Sequence, residues 1–530
     1  MRGVGIILGL LALGFYFGAV LRVDYFQSKL LDLHPNPDAA EYYAMGRAMA
    51  RGEPPAIQIG FERLPARYPP GYSALMMPWL KLLPEDRQIL APFRTSQTMG
   101  WLLLCSVWLF YWKQKQPLEA GAAALLLATL PGFVAYARSA MSEISSIALL
   151  AWAFMAAYHG LRARQRKWIY LCAVLLGLAV NVKTQLILFG PLLSAMAWIG
   201  EKKQWPAWLL HCAGVLLVFA LSASPIFILN AIQFGSPWKT GYIFWVPEKM
   251  EMAFSARHFR PVVLGLAREL FQHSNTFTAT QLFGTGAHFT PSFLLLALVG
   301  CAFVKEWKFA LCAGLAGGCV LAQTLFFYYA DGRMFLPLFA LLTPLATLSI
   351  AWAAHAISRK SYLFSVPLLV LFLLAIVGFP SQSGYPQKAW RSQFADSLRR
   401  IPLDKPRFAP NFAAARELVA QAAAEPGVVL TPINPVFLNA ILPAGFSAAP
   451  LDGEHLYSAS RSWTYGPAEA RRLVRQSLAD GRPVYALFPA GQDGDRLRLP
   501  NLSGYRWNSV TSAARHAVVL RLRPEDSLPP

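Results

Sequence analysis

The chain has 530 residues, of which 55% are hydrophobic and only 14% are charged. This composition excludes an ordinary soluble protein of this length and predicts a polytopic membrane protein. The net charge of +20 would suit a nucleic-acid partner, but the Lys and Arg residues fall in short clusters between apolar runs, as in cytoplasmic membrane loops. No basic stripe with interleaved aromatic residues is present, so nucleic acid is not an expected partner.

The first element is an apolar run from Gly3 to about Leu21, which follows Arg2. No small-residue cleavage site ends it, so an uncleaved first span is predicted rather than a signal peptide. A spanning helix needs roughly 20 mainly apolar residues, and on this template the sequence predicts about eleven spans. They lie near 3–21, 91–112, 117–135, 144–161, 167–182, 184–200, 206–229, 291–304, 308–329, 334–355 and 361–379. The fifth and sixth abut and are predicted to form a tight hairpin, with one broken helix as the alternative.

Short basic clusters set the orientation of the predicted spans. If the spans alternate in order, the following residues all fall on one side: Arg2, Lys113, Lys115, Arg162, Arg164, Arg166, Lys167, Lys202, Lys203, Lys305, Lys308, Arg359 and Lys360. The positive-inside rule makes that side cytoplasmic, together with the N-terminus. The loops at 22–90 and 230–288, the turn at 132–143 and everything after residue 379 are then predicted to face outward.

The outward loop at 22–90 contains two predicted helices. The first runs from Asp38 to Arg51, with Asp38 at the N-cap, Glu41 completing a capping box and Gly52 at C′. A Pro-Pro-Gly turn separates it from a second helix, Tyr72–Leu83. In a chain this apolar, carboxylates at a membrane boundary are where chemistry is first sought.

The region after Phe379 mixes polar residues into shorter apolar runs. It contains predicted helices at 413–424 and 467–478 and predicted strands at 428–430, 484–488 and 517–522. Alternating helices and strands favour a small α/β domain. The predicted organisation is therefore mainly α: a membrane helical bundle over 1–379, and an extracytoplasmic α/β domain over 380–530. The region contains no phosphate-loop, dinucleotide or nucleophile-elbow motif.

Polar residues of both signs lie at the outward edges of the predicted spans. They are Asp38, Glu41, Arg138, Glu143, Lys183, Asp331 and Arg333. A carboxylate can take a proton from a hydroxyl, and cations or a metal can stabilise a departing phosphate. This set therefore fits a reaction on a lipid-phosphate substrate.

Each of these residues also has a structural interpretation. Asp38 caps its helix. Glu143 pairs with Arg138 or faces the positive end of a helix. Lys183 extends to the headgroups, and Arg333 pairs with a nearby acid or with lipid phosphate. The histidines outside the spans lack ligand spacing, so no metal is assigned to them.

Four scattered motifs over residues 1–380 together carry a family resemblance. They are Asp38 with Tyr42 or Tyr43, Gly52 and Pro69-Pro70-Gly71-Tyr72; Met141-Ser142-Glu143; Asn230 with Phe234–Pro237 and Thr240–Tyr242; and Arg333 with Pro337. They resemble motifs of the GT-C membrane glycosyltransferases, in the protein mannosyltransferase and aminoarabinose transferase superfamily, and more closely its bacterial members of undefined acceptor. Many relatives have adjacent Asp and Glu in the first loop. Here Ala39 follows Asp38 and the second acid is Glu41, which leaves open which carboxylate is catalytic.

The resemblance implies an inverting transfer from a polyprenyl-phosphate-linked sugar, by a hexosyl- or pentosyltransferase. It implies Asp38 as the general base and Glu143 as an assisting residue, on the donor or as a metal ligand. The remaining implied roles are donor-phosphate binding by Lys183, Arg333 and Arg138, and acceptor binding or loop positioning by Glu41, Tyr42, Tyr72 and Tyr242. The expected location is a bacterial inner membrane.

The sugar is not determined by the sequence, and the acceptor is left open as a lipid, a glycan or a protein. No cofactor is assigned, with a divalent cation as the alternative. One alternative function is a transporter or flippase of lipid-linked sugars. Against it, the charges lie at helix ends on one face rather than near mid-membrane. A second alternative is a non-catalytic assembly protein carrying an exported recognition domain.

Overall fold

The structure is a computed structural model of the chain. It describes residues 2–27, 29–33, 37–190, 205–245, 254–264, 291–304, 307–327, 334, 336–358, 365–377, 409–421, 425–451, 465–490, 499–510 and 517–525. The chain divides into two compact units. The first unit comprises Met1–Val23, Phe93–Ile228 and Met252–Leu403, and the second comprises Asp24–Pro92, Leu229–Glu251 and Asp404–Pro530.

Helices dominate the described residues. In chain order they are α1 (Arg2–Tyr16), α2 (Pro37–Ala50), α3 (Gly71–Leu82), α4 (Ala91–Trp112), α5 (Pro117–Thr129), α6 (Pro131–Ala137), α7 (Glu143–Ala163), α8 (Arg166–Val182), α9 (Trp205–Phe234), α10 (Gly241–Trp245), α11 (Pro291–Cys301), α12 (Trp307–Leu325), α13 (Leu336–Ser358), α14 (Ser365–Val377), α15 (Pro410–Gln421), α16 (Pro435–Ile441) and α17 (Pro467–Ala479).

Seven strands complete the described elements. They are β1 (Ile57–Ile59), β2 (Glu62–Leu64), β3 (Val428–Thr431), β4 (Ser447–Pro450), β5 (Val484–Pro489), β6 (Tyr505–Ser509) and β7 (Ala517–Pro524). The mainly helical class with a small sheet region is therefore as the sequence predicts.

The first unit is built from long apolar helices. Among the residues that the structure describes, four stretches are long and apolar enough to cross a membrane: Arg2–Leu21, Glu143–Ala163, Pro206–Phe234 and Leu336–Ile357. The predicted span at 91–112 coincides with α4. The span predicted as one helix at 117–135 is instead two helices, α5 and α6, which meet at Leu130. A proline disfavours helical geometry in the residue before it, and Pro131 follows an extended Leu130. The total of about eleven spans stays a prediction.

A buried side-chain amide in the first unit donates a hydrogen bond to a carbonyl group at the irregular end of α1. The helix continues into a π-helical turn, Phe17–Leu21, and such turns leave carbonyl groups without their usual helical partner. Gln97 on α4 is 2% exposed, and its Nε2 donates to the carbonyl of Val20 at 2.7 Å. The hydroxyl of Tyr16 donates to the carbonyl of Gln97. Two polar groups in an apolar bundle are thereby paired, which burial requires.

The second unit contains a five-stranded mixed sheet in the order β4-β3-β5-β7-β6. Strand β3 pairs in parallel with β4 and β5, and β7 pairs antiparallel with β5 and β6. Its core includes Val428, Leu430, Val484 and Phe488, all fully buried. The predicted helices and strands of this region are confirmed as α15, α17, β3, β5 and β7. The short elements α16, β4 and β6 were not predicted.

The second unit also contains the first loop. Its hairpin, β1 and β2, turns at Gly60, whose φ is +57°. The N–H of Gly60 donates to the carbonyl of Ala448 at 2.7 Å, and Asn439 Nδ2 donates to the carbonyl of Gln58 at 2.8 Å. The carboxylate of Asp32 accepts the N–H of Phe412 at 2.9 Å, in the first turn of α15. The first loop and the C-terminal α/β region are thus joined by hydrogen bonds between residues far apart in sequence.

Candidate functional site

Asp38 lies in the first turn of α2. The sequence predicted this residue as the N-cap, but the helix begins one residue earlier, at Pro37. Proline is well suited to the first helical position because its missing N–H has no helical partner there. A carboxylate in the first turn is stabilised by the positive end of the helix. The far end of the helix agrees with prediction: Gly52 follows it with φ +78°, and its N–H donates to the carbonyl of Met49 at 3.0 Å.

Tyr68 holds the carboxylate of Asp38. The Tyr68 hydroxyl donates to Asp38 Oδ1 across 30 residues of sequence. Burial, followed by the negative charge of Asp38, raises the pKa of Tyr68 well above its ordinary value. The phenol therefore stays protonated and remains a donor at neutral pH. Asp38 therefore lies at the start of a helix, and the Tyr68 side chain fixes the orientation of its carboxylate.

Tyr68 belongs to a group of four tyrosines, here called the tyrosine cluster: Tyr42, Tyr68, Tyr72 and Tyr242. The Tyr42 ring lies 5.2 Å from that of Tyr68 and 5.0 Å from that of Tyr72. The Tyr242 ring meets that of Tyr68 edge to face at 5.5 Å. Tyr42 and Tyr72 are buried, and the Tyr72 hydroxyl donates to the carbonyl of Pro92 at 2.7 Å. Such aromatic pairs add specific geometry to apolar burial, so the cluster fixes the position of Tyr68.

Glu41 binds a backbone group in the loop after its own helix. The capping box predicted for this residue stays a prediction. In the structure, the fully buried Glu41 accepts the backbone N–H of Arg67 through Oε2 at 2.7 Å. The Arg67 guanidinium lies over the Tyr68 ring, 5.8 Å from its centroid. Glu41 therefore anchors the segment that carries Tyr68, and Arg67 supplies a positive charge beside the cluster.

The segment 240–245 packs closely against the same loop. A Cβ at Gly241 would lie 2.0 Å from the carbonyl oxygen of Ala66, so only glycine permits this approach. The indole N–H of the fully buried Trp245 donates to the carbonyl of Pro65 at 2.8 Å. The Thr240–Tyr242 part of the third sequence motif thus has a structural role. It supports the loop of Arg67 and Tyr68 and places the ring of Tyr242 against that of Tyr68.

The first unit holds a second group of predicted site residues. Glu143 is the first residue of α7 and is 3% exposed. Its Oε1 pairs with Lys183 Nζ at 3.1 Å. Lys183 directly follows α8 in extended conformation. Arg138, which follows α6, is buried. Glu143 thus has Lys183 as an ion-pair partner, and the Lys183 side chain is held in place rather than extended freely.

Two of the remaining predictions, the role of Arg333 and a bound divalent cation, are not tested by the structure. Arg333 and Asp331 lie outside the described residues. Within the described residues, no group of three or more His, Cys, Asp or Glu side chains is placed to hold a metal ion. A divalent cation stays a prediction.

The sequence did not identify Tyr68 and Arg67 as site residues. Both stand beside the Pro-Pro-Gly-Tyr turn, but spacing cannot show which of several tyrosines meets a carboxylate 30 residues away. The available signal was a tyrosine and an arginine next to a rigid turn in the loop that carries Asp38.

Comparison with known proteins shows the same fold. The profile of the dolichyl-phosphate-mannose-protein mannosyltransferase family matches residues 69–228. ArnT from Cupriavidus metallidurans, bound to undecaprenyl phosphate, superposes with a TM-score of 0.60 at 14% identity over 97% of each chain. No curated protein matches the sequence.

Two further solved structures are similar. AglB, an archaeal oligosaccharyltransferase from Archaeoglobus fulgidus, was solved with an inhibitory peptide and a dolichol-phosphate. It matches with a TM-score of 0.51 at 14% identity, over 92% of this chain and 69% of its own. The arabinofuranosyltransferase AftD from Mycobacteria matches with a TM-score of 0.52 at 14% identity, over 99% of this chain and 40% of its own. All three are GT-C glycosyltransferases. The fold is therefore that of the GT-C class, and the resemblance to GT-C glycosyltransferases drawn from the sequence motifs is confirmed. The closer likeness to bacterial members stays a prediction.

Proposed function

We propose that this chain is an integral membrane glycosyltransferase, which moves a sugar from a polyprenyl-phosphate donor to a hydroxyl of an acceptor, with inversion. The observation that carries the proposal is the bond from Tyr68 to Asp38 within the tyrosine cluster. It holds a carboxylate in one orientation at a helix start, as a general base requires. The undecaprenyl phosphate and dolichol-phosphate bound by ArnT and AglB support a lipid-phosphate donor.

In the proposed reaction, Asp38 takes the proton of the acceptor hydroxyl. The acceptor oxygen forms its bond to the anomeric carbon on the face opposite the phosphate. The bond from that carbon to the phosphate oxygen breaks, and polyprenyl phosphate leaves with the electron pair. Attack from the opposite face inverts the anomeric centre. The sugar is a hexose or a pentose under this proposal.

Cations are proposed to stabilise the leaving phosphate. Lys183, Arg138 and Arg333 are assigned to this role, because positive charge is most effective where negative charge develops. Glu143 is assigned to assist by holding the Lys183 ammonium, as their 3.1 Å ion pair supports. Glu41 and the tyrosine cluster are assigned to position the loop and the acceptor.

The proposed topology has about eleven spans, a cytoplasmic N-terminus and an extracytoplasmic α/β domain over 380–530, in a bacterial inner membrane. Reporter fusion after residue 390 tests this arrangement. A reporter that is active in the cytoplasm would show that the span count is wrong.

The test of function is Asp38→Asn in the purified chain, with a polyprenyl-phosphate sugar in detergent. Loss of the base is expected to lower donor consumption by about 10²–10⁴-fold. Asp86→Asn, on an exposed acid of the same loop, is the control and is expected to retain turnover. Turnover of Asp38→Asn near that of the wild type would remove Asp38 as the base. In detergent no bilayer separates two compartments, so transport of the donor cannot be observed. Consumption of the donor there therefore supports transfer rather than transport.

A further inference from the structure

The second unit contains a polar recess at the end of α2 away from Asp38. Its walls are the last turns of α2, the hairpin of β1 and β2, and the end of α16. Its volume is about 50 Å³, which accommodates several water molecules. The recess therefore requires both the first loop and the C-terminal α/β region.

Three arginines line this recess: Arg47, Arg51 and Arg63. One carboxylate accompanies them, that of Glu53, which pairs with Arg63 at 2.7 Å. The lining residues carry a surplus of two positive charges, and Glu85, which lies outside the lining and close to Arg47, reduces the local surplus to one. Guanidinium groups present donors in a planar fork that matches phosphate and carboxylate oxygens, so this lining is suited to an anion.

The arginines differ in how they are held. Arg47 is 9% exposed; its guanidinium donates to the carbonyl of Ala440 on α16 and lies 3.9 Å from a carboxylate oxygen of Glu85. Arg51 is exposed. A fixed and largely buried charge interacts more strongly than a solvated one, while an exposed arginine can close on a ligand.

The opposite wall is rigid. Asn439 Nδ2 donates to the carbonyl of Gln58 and to that of Ala448, both at 2.8 Å, and its Oδ1 accepts the N–H of Ala448 at 2.7 Å. The amide of Asn439 thus ties the hairpin, α16 and β4 together. The recess is a formed cavity in which the three arginines are brought together by the fold.

We propose that this recess binds an anionic group, a phosphate or a carboxylate, carried by the acceptor. The assignment to the acceptor rests on the proposed function. Arg47 is nine positions after Asp38, which is about 14 Å along α2 at 1.5 Å per residue. The acceptor is therefore an extended molecule, with its reacting hydroxyl at Asp38 and its anionic group about 14 Å away.

The test is a titration of the purified full chain in neutral detergent with inorganic phosphate, against chloride at constant ionic strength, following the thermal midpoint. The wild type is expected to bind phosphate, and Arg51→Gln is expected to weaken binding by about tenfold. Glu53→Gln removes the only carboxylate of the lining and is expected to strengthen binding. Arg475→Gln, on an exposed arginine of α17, is the matched control and is expected to bind as the wild type does.

The proposal is overturned if phosphate does not shift the wild-type midpoint, or if Arg51→Gln and Arg475→Gln bind phosphate alike. Nanodiscs of phosphatidylcholine, with and without phosphatidylglycerol, distinguish the sources of the anion. Phosphate binding that phosphatidylglycerol weakens in the wild type but not in Arg51→Gln assigns the recess to a lipid headgroup. Equal binding in both nanodiscs assigns it to an anion outside the lipid. Binding of phosphate requires no turnover, so failure of this test leaves the Asp38 test unaffected, and the reverse also holds.

Discussion

Replacement of Tyr68 by Phe tests the bond on which the proposed base depends. The change removes one hydroxyl and leaves the ring, whose contacts with Tyr42 and Tyr242 at 5.2 and 5.5 Å can persist. A hydrogen bond to a charged group contributes about 1.5–3 kcal/mol. If that contribution is needed to hold Asp38 in its reactive orientation, kcat falls by about 10–150-fold.

The kinetic parameters separate this role from a general loss of packing. A donor that orients the base acts in the reaction step, so Tyr68→Phe is expected to lower kcat and to leave the KM for the donor near that of the wild type. The raised pKa of Tyr68 means that the wild type keeps this donor protonated at pH 7–9. The control is Tyr485→Phe, which removes a hydroxyl that donates to the carbonyl of Glu425 at 3.1 Å in the sheet region.

The assay measures donor consumption at neutral pH over a range of donor concentrations for the wild type and both variants. Tyr485→Phe is expected to keep the wild-type kcat and KM. An unchanged kcat in Tyr68→Phe would refute the positioning of Asp38 by Tyr68. A raised KM with an unchanged kcat would likewise refute it and assign Tyr68 to packing alone.

Three further predictions concern stability and loop geometry. Lys183→Met removes the ammonium that lies 3.1 Å from the buried carboxylate of Glu143 and is expected to lower the stability by about 3 kcal/mol. Adding Glu143→Gln should restore much of that loss, and equal midpoints for the single and double variants in thermal unfolding would contradict this. Burial raises the pKa of Tyr43 to about 12. The unfolded chain therefore loses the Tyr43 proton at lower pH than the folded chain does, and the folding stability falls as the pH rises above about 10. Tyr43→Phe should reduce that loss of stability by about 3 kcal/mol at most, and an unchanged alkaline unfolding transition would be inconsistent with this. Gly241→Ala must displace the carbonyl of Ala66 and is expected to lower both the thermal midpoint and the turnover. The control Gly314→Ala has open space around the new methyl group and should lower neither. Wild-type values for Gly241→Ala would show that the loop of Ala66 moves without cost.

Local patterns in the sequence were sufficient for the long helices. Alanine, leucine and aromatic runs of about 20 residues define α4 and α7 within a few positions, because in an apolar setting a helix satisfies its own backbone. The break between α5 and α6 at Leu130 was missed, although Pro131 was visible, since the hydropathy of the run continues across it. Strands β4 and β6 were also missed. They are four and five residues long, and such strands are specified by their neighbours in the sheet more than by their own residues.

The sequence alone determined the helical membrane class and the α/β character of the end of the chain, because both follow from hydropathy and periodicity. It also predicted Asp38, Glu143 and Lys183 as site residues from charge next to an apolar run, and their roles stay predictions. Only the tertiary structure decided the partners. Tyr68 meets Asp38 across 30 residues, Lys183 meets Glu143 across 40, and Arg47 meets Ala440 across 393. Side-chain contacts between distant segments depend on how the whole chain packs, which no local pattern encodes.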